Sequence, residues 1–172
     1  MFLQNRKDDT SILTLKSYYF ACMKAASLNE LKKELLNLEP NRLVDICLRI
    51  TKYKKENKEL LTYLLFEVDD EQNYIESIKQ LIDEQFDLIP KNNLYQGSKM
   101  LRKTLRTTNK FIKYSGQKET EAELLIYFCR RMRKSGLRIH SSTALTNLYQ
   151  QQLKKINKAI EKLHEDLQFD YQ

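Results

Sequence analysis

Apolar residues recur at spacings of three and four residues along almost the entire chain. This is the period of an α-helix that buries one face, and residues that cap helix ends stand where the period restarts. The pattern predicts an all-α fold of about eight helices. We expect them over residues 11–26, 27–38, 41–53, 60–66, 69–88, 93–114, 120–135 and 141–168.

Local signals mark the starts of several of these helices. Ser27 and Glu30 have the Ser-x-x-Glu spacing of a capping box, in which each side chain accepts a hydrogen bond from the other residue's backbone N–H. Thr120 and Glu123 have the matching Thr-x-x-Glu spacing, so we expect a second capping box there. Pro40 suits the first turn of a helix, where its missing N–H has no intrahelical partner to lose.

Other signals mark helix ends and buried faces. Gly116 and Gly136 each follow a predicted helix, and glycine readily adopts the left-handed conformation that closes one. Residues 124–129 are apolar on every side, which predicts a helix buried all round at the centre of the C-terminal half.

The last predicted helix carries a heptad seam, with apolar residues at spacings of 4, 3, 4, 3 and 4. A homo-oligomer formed through this seam is one interpretation, and packing inside a bundle is the other. The seam consists of Tyr149, Leu153, Ile156, Ile160, Leu163 and Leu167.

One segment of the first half returns in the second half with a similar sequence. Residues 58–66 read KELLTYLLF, and residues 122–129, which follow 64 positions later, read AELLIYFC. The Lys-Tyr pair at 52–53 returns 61 positions later at 113–114. A three-residue insertion in the loop accounts for the difference between the two offsets.

This duplication predicts one domain, 1–172, made of an N-terminal helix pair (1–38) and two related three-helix units (41–89 and 92–168). The helix order and the repeated segment resemble HEAT-like and armadillo-like α-helical repeat proteins. The resemblance implies a binding scaffold that reads its partner with one face of the stack. A compact bundle of six to eight helices fits the same periodicities.

Composition excludes several other classes of protein. Three glycines and two prolines leave little material for the tight turns of a β-sandwich or for a glycine-rich phosphate loop. No stretch reaches the ~18 apolar residues that span a bilayer. The first ten residues are polar and of mixed charge. We therefore expect a cytoplasmic protein without a membrane partner.

Thiol and imidazole groups are few and scattered, so no cofactor, metal site or catalytic residue is predicted from them. Cys22, Cys47 and Cys129 each stand in an apolar run, and we expect them to be buried free thiols. His140 precedes a helix start, and His164 stands on the polar side of the last predicted helix.

Carboxylates offer a weaker candidate for chemistry. Glu76, Asp83 and Asp87 share one broad side of a predicted helix, and oxygen ligands of this kind can hold a divalent cation. A small metal- or acid-dependent enzyme is therefore our third hypothesis. We favour a solvated acidic face, since no Glu-x-x-His motif of a di-metal bundle accompanies these residues.

Charge is distributed unevenly along the chain. Residues 1–90 carry 13 basic and 16 acidic side chains, a net charge of −3, whereas residues 91–172 carry 17 and 7, a net charge of +10. Such a basic half attracts nucleic acid, an acidic partner or an anionic surface.

Two basic clusters in this half are the strongest candidates for a functional surface. Five cations of the first follow at spacings of 4, 3, 4 and 3, which places them on one helix face without an acidic residue four positions away. If the two helices are antiparallel neighbours, the second cluster lies near the start of the first. The first cluster comprises Lys99, Arg102, Lys103, Arg106, Lys110 and Lys113, and the second comprises Arg130, Arg131, Arg133, Lys134 and Arg138.

Taken together, these features favour a non-enzymatic intracellular helical adaptor or scaffold that binds another macromolecule, with a protein as the expected partner. The alternative is a nucleic-acid-associated protein that grips the phosphate backbone through its basic helical face.

Overall fold

The computed structural model describes residues 25–169 and residue 171, and in this part of the chain it contains eight α-helices, one 3₁₀ turn and no strand. The predicted all-α fold is confirmed. Residues 11–24 of the first predicted helix lie outside the described residues. The helices are α1 (Leu28–Leu36), α2 (Pro40–Tyr53), α3 (Lys55–Phe66), α4 (Glu71–Asp87), α5 (Leu94–Ser115), α6 (Lys118–Lys134), α7 (Thr143–Ile160) and α8 (Glu165–Phe169), and the 3₁₀ turn is Ile139–Ser141.

Most of the predicted helix signals act as expected. The Ser27 hydroxyl accepts from the Glu30 N–H, and the Glu30 carboxylate accepts from the Ser27 N–H at 2.7 Å, so the capping box is complete. Pro40 is the first residue of α2. Gly116 and Gly136 have φ angles of 69° and 77°, the left-handed conformation that ends a helix.

The predicted capping box at Thr120 is wrong. The helix begins at Lys118, and Thr120 is fully buried in its first turn. The Thr120 hydroxyl donates to the Glu71 carboxylate of α4, which also accepts from the hydroxyls of Ser115 and Tyr63. The Thr120 hydroxyl thus bonds to a carboxylate of another helix instead of to a backbone N–H of its own helix. Through its three hydroxyl partners, the Glu71 carboxylate joins the ends of four helices.

The chain divides into two compact units, Met1–Arg49 and Ile50–Gln172. No residue of α2 is buried, and Cys47 is exposed. The predictions that residues 41–53 face a core and that Cys47 is buried are therefore wrong, because amphipathic spacing gives a helix an apolar side, and among the described residues no element buries it. Cys22 lies outside the described residues.

The core of the second unit surrounds α6. This helix contacts α4, α5 and α7, and its Leu124, Leu125 and Phe128 are completely buried. Phe128 packs edge-to-face on Phe86 of α4, with ring centroids 5.3 Å apart. The predicted central position of residues 124–129 is confirmed, and Cys129 is buried there as expected.

Helix α7 ends at Ile160 rather than continuing to residue 168. The N–H groups of Lys162 and Leu163 donate three residues back, to Ala159 and Ile160, and such bonds tighten the chain out of the α-helix. The neighbouring helix α6 has 17 residues and α7 has 18. Helix α7 is therefore about as long as α6, the helix that it packs against.

The first four residues of the heptad seam pack within the chain. Ile156 belongs to the core, and Tyr149, Leu153 and Ile160 lie against it. Leu163 and Leu167 follow the end of α7. A homo-oligomer formed through this seam stays a prediction, as do the duplicated units and the three predicted subdivisions of the chain.

None of the described helices is long and apolar enough to cross a membrane.

Candidate polyanion-binding surface

Helix α5 has an apolar face on one side and a basic face on the other. Its apolar face buries Leu101, Leu105, Thr108 and Ile112 against the core, at helical spacing. The buried Thr108 hydroxyl donates to the Thr104 carbonyl at 3.0 Å, so this polar group needs no solvent. Burial of this face fixes the rotation of the helix, and that rotation turns the opposite face outward.

Five of the six predicted cations of α5 stand on this outward face, which we call the basic face. All five are exposed, and within the described residues none of their side chains has an ion pair or hydrogen bond. At 100° per residue they fall within about 100° of arc and extend about 21 Å along the helix. The basic face consists of Lys99, Arg102, Lys103, Arg106 and Lys113.

The sixth cation, Lys110, falls within the same arc of α5 but has a carboxylate partner, so we leave it out of the basic face. Its Nζ lies 2.6 Å from Oε2 of Glu59 on α3 and 4.7 Å from the ring centroid of Phe111. Tyr114 donates to the same Glu59 oxygen at 3.0 Å. The hydrogen bond from Lys110 lowers the pKa of Glu59 despite partial burial, as expected for a carboxylate held ionised by a cation.

In the second predicted cluster, Arg131 is likewise paired. Its Nε lies 2.8 Å from Oδ1 of Asp83, and its terminal nitrogen donates to Asp87 at 2.9 Å. Asp83 also accepts from the Tyr127 hydroxyl at 2.7 Å. Arg131 thus ties α6 to α4, whereas the other four members are exposed and have no side-chain partner among the described residues. These four are Arg130, Arg133, Lys134 and Arg138.

The end of α6 and the start of α5 lie together, as antiparallel packing predicts. A Cβ added to Gly97 of α5 would stand 2.8 Å from the Leu137 side chain and 3.2 Å from the Pro90 carbonyl oxygen, so the two segments pack closely at this glycine. Lys99, the first cation of the basic face, lies five residues beyond Leu94, about 7.5 Å along the axis.

Three adjoining depressions surround this end of the second unit. The central cavity, of about 450 Å³, shares Lys91 with one neighbour of about 320 Å³ and Arg138 with another of about 430 Å³. The smaller neighbour includes Arg131 and Lys134, and the larger one includes Arg133 and His140. Asp87, the one carboxylate among the described residues that line them, is already bonded to Arg131.

Sequence reasoning missed Lys91 and His140 as members of this basic end. Lys91 stands alone between two helices, and no helical spacing connects it to the cluster some forty residues later. The signal that could have found it is Gly136, whose left-handed conformation turns the chain so that a Cβ there would lie 3.6 Å from the Lys91 side chain.

Three acidic residues of α4, Glu76, Asp83 and Asp87, pair with cations. Glu76 binds Lys79 at 2.7 Å, and Lys79 also binds Glu123 at 2.6 Å. Burial alone would lower the pKa of Lys79, but these two carboxylates outweigh it and raise the pKa. In the described ranges, no three His, Cys, Asp or Glu side chains come together as metal ligands.

The chain matches no protein-family model, and comparison with curated proteins and with solved structures likewise gives no match. The resemblance of its helix order to HEAT-like and armadillo-like proteins stays an interpretation of the sequence. Function must therefore be inferred from the chemistry of the surface.

Proposed function

We propose that this protein is a non-enzymatic binding protein that grips the phosphate backbone of a nucleic acid with the basic face of α5. The observation that carries the proposal is that five cations without a carboxylate partner among the described residues share one face of a single helix. Elsewhere in the same unit, Lys79, Lys110 and Arg131 all have a carboxylate oxygen within 3 Å.

The basic face is costly for an isolated helix. Lys99 and Lys103 stand four residues apart, as do Arg102 and Arg106, and like charges at this spacing destabilise a helix by about 0.2–0.5 kcal/mol per pair. A polyanion removes this repulsion. The proposed ligand therefore explains an arrangement that the fold does not require, since the apolar side of α5 alone fixes the helix in the core.

The dimensions of the basic face suit a nucleic-acid strand. Its length of about 21 Å corresponds to the axial rise of about six base pairs of duplex DNA, at about 3.4 Å each. Lysine and arginine on phosphates position a protein without reading sequence. The proposal is therefore backbone binding that tolerates many sequences and depends strongly on salt.

The test is fluorescence anisotropy with labelled duplex and single-stranded oligonucleotides over a range of salt concentrations. Five phosphate contacts predict a slope of log Kd against log salt of about 4.5 for duplex DNA and about 3.5 for a single strand. A Lys99→Gln, Lys103→Gln and Arg106→Gln triple variant should reduce the duplex slope to about 1.8. Lys110 is left unchanged because its loss would remove the closest cation from the partly buried Glu59 carboxylate.

The matched control removes three exposed lysines from α7, as Lys154→Gln, Lys155→Gln and Lys158→Gln. Both triple variants lower the net charge by three, so a difference between them reports position rather than total charge. Equal weakening by the two variants, or no binding at 50 mM salt, would overturn the proposal.

A second candidate is an adaptor for another protein, and the end of α3 favours it. Leu64, Leu65 and Phe66 follow one another and are 50%, 61% and 76% exposed, whereas Tyr63 beside them is buried. Consecutive exposed apolar side chains are typical of protein contact sites. A photo-reactive residue at position 65 should cross-link a partner in cells, and one at position 154 should not. Equal labelling at both positions would contradict this candidate.

A further inference from the structure

The central cavity at the basic end has the properties of a small anion-binding site. Its volume of about 450 Å³ falls within the range of ligand pockets. The described residues that line it all belong to the second unit, and none of them is a carboxylate. The lining residues are Lys91, Asn92, Leu94, Gly136, Arg138 and Ser141.

The polar groups of this cavity are available to a ligand. Lys91, Asn92 and Arg138 have no side-chain hydrogen bond or ion pair within the described ranges. The Ser141 hydroxyl donates to the Arg138 carbonyl at 2.8 Å, which orients it and leaves its oxygen free to accept. The cavity therefore offers one ammonium, one guanidinium and one amide as donors.

The backbone holds the two cations at the same cavity. Gly136, with φ of 77°, lets the chain leave α6 and turn toward the 3₁₀ segment that follows Arg138. The same turn brings Gly136 next to the aliphatic stem of Lys91, which stands before α5. Two residues distant in sequence, Lys91 and Arg138, thus line one depression without an acid to neutralise them.

We propose that this cavity binds a phosphomonoester group. A guanidinium presents paired donors to phosphate oxygens, and an ammonium adds a second charge, which suits a dianion better than a monovalent anion. The cavity exceeds a bare phosphate in volume and has Leu94 in its wall, so it has room for the organic group that carries the phosphate. This site uses no residue of the basic face and goes beyond the proposed function.

Isothermal titration calorimetry of the full chain with inorganic phosphate tests the site, with sodium chloride at equal ionic strength as the reference anion. Arg138→Gln should weaken phosphate binding about tenfold, the loss expected for one charge-assisted hydrogen bond. Lys91→Gln should weaken it to a similar extent. Arg130→Gln is the matched control, since Arg130 is an exposed arginine near the end of α6 that lines none of the depressions.

Melting temperatures of the variants establish that each is folded. Absence of phosphate binding by the wild-type chain would overturn the proposal. So would equal affinity of the Arg138→Gln variant and the wild-type chain, or equal weakening by Arg130→Gln. The triple variant of the basic face should bind phosphate normally, so failure at one site is distinguishable from failure at the other.

Two sources can supply the phosphomonoester, namely the end of a nucleic-acid strand and a free phosphorylated small molecule. Oligonucleotides with a 5′-phosphate and with a 5′-hydroxyl separate them. If the wild-type chain prefers the 5′-phosphate and Arg138→Gln abolishes this preference, the ligand of the cavity is the end of a nucleic-acid strand. Phosphate binding without such a preference assigns the free small molecule.

Discussion

Alkaline pH should destabilise this protein in part through one buried thiol. Cys129 lies in the middle of α6, is 4% exposed and has no disulfide partner. Burial raises the pKa of its thiol from 9.0 to about 12. The unfolded chain therefore releases this proton near pH 9, whereas the folded chain retains it, and stability that is complete below pH 9 is lost as the pH rises toward 12.

The magnitude follows from the two pKa values of the thiol. One pKa unit corresponds to about 1.36 kcal/mol, so between pH 8 and pH 10.5 the thiol lowers the free energy of unfolding by about 2 kcal/mol. Burial also raises the pKa of four tyrosines, which adds to the total loss. These are Tyr63, Tyr74, Tyr114 and Tyr127.

Comparison of variants isolates the thiol from the tyrosines. Urea unfolding under reducing conditions, followed by circular dichroism at pH 8 and pH 10.5, should show a loss about 2 kcal/mol smaller for Cys129→Ala than for the wild-type chain. The cavity left by the substitution lowers stability at both pH values and cancels in this difference. Cys47→Ala, at an exposed cysteine, should lose as much as the wild-type chain.

A thiol-labelling experiment gives a second readout of the same prediction. At pH 8, peptide mapping should find Cys47 alkylated rapidly and Cys129 protected until the chain unfolds. Equal pH-dependent losses for Cys129→Ala and the wild-type chain, together with rapid labelling of Cys129, would refute the reasoning.

Three further predictions concern stability, each measured by urea unfolding. Gly97→Ala should cost about 1–3 kcal/mol despite the better helix propensity of alanine, because its Cβ would meet the Leu137 side chain; a stabilised variant would contradict this contact. Gln152→Met should stabilise by about 1 kcal/mol, because removing the buried Gln152 Oε1, which has no hydrogen-bond partner among the described residues, gains more than is lost with the Nε2 bond to the Leu148 carbonyl. A loss of stability would mean that this oxygen is satisfied. Glu71→Ala should lower the free energy of unfolding by about 3–4 kcal/mol, because hydroxyls from three other helices lose a charged acceptor. Glu71→Gln should lower it by about half as much, and equal losses for the two variants would argue against the role of the charge.

Single-helix properties could be predicted from the sequence because they follow from one period. The core face and the basic face of α5 are two sides of the same 3.6-residue repeat, so finding one fixes the other. Helix α4 shows the limit of this reasoning. The 3.6-residue period of its sequence also fits an apolar line that ends at Leu88, which is 72% exposed, whereas Ile82 and Phe86 on the adjacent line are buried. Two neighbouring apolar stripes differ by a small rotation, and the packing of α6 selects between them.

Charge pairing could not be predicted, because the partners come from other helices. Glu59 stands 51 residues before Lys110, and Asp87 stands 44 residues before Arg131. Both cations belonged to basic clusters by spacing alone. The fold removes them from those clusters by supplying acids that no local rule connects to them.

This pairing explains why the basic half of the chain keeps its charge at the surface. Acidic residues of α3 and α4 form ion pairs with cations of other helices. Glu59 pairs with Lys110, and Asp83 pairs with Arg131. Each such pair is partly shielded from water and stabilises the packing of helices rather than neutralising the surface. The remaining cations of α5, and those around Lys91 and Arg138, then have no intramolecular counter-charge in the described ranges. Glu59, Asp83 and Asp87 thus join helices to one another, and the five cations of the basic face keep their charge at the surface.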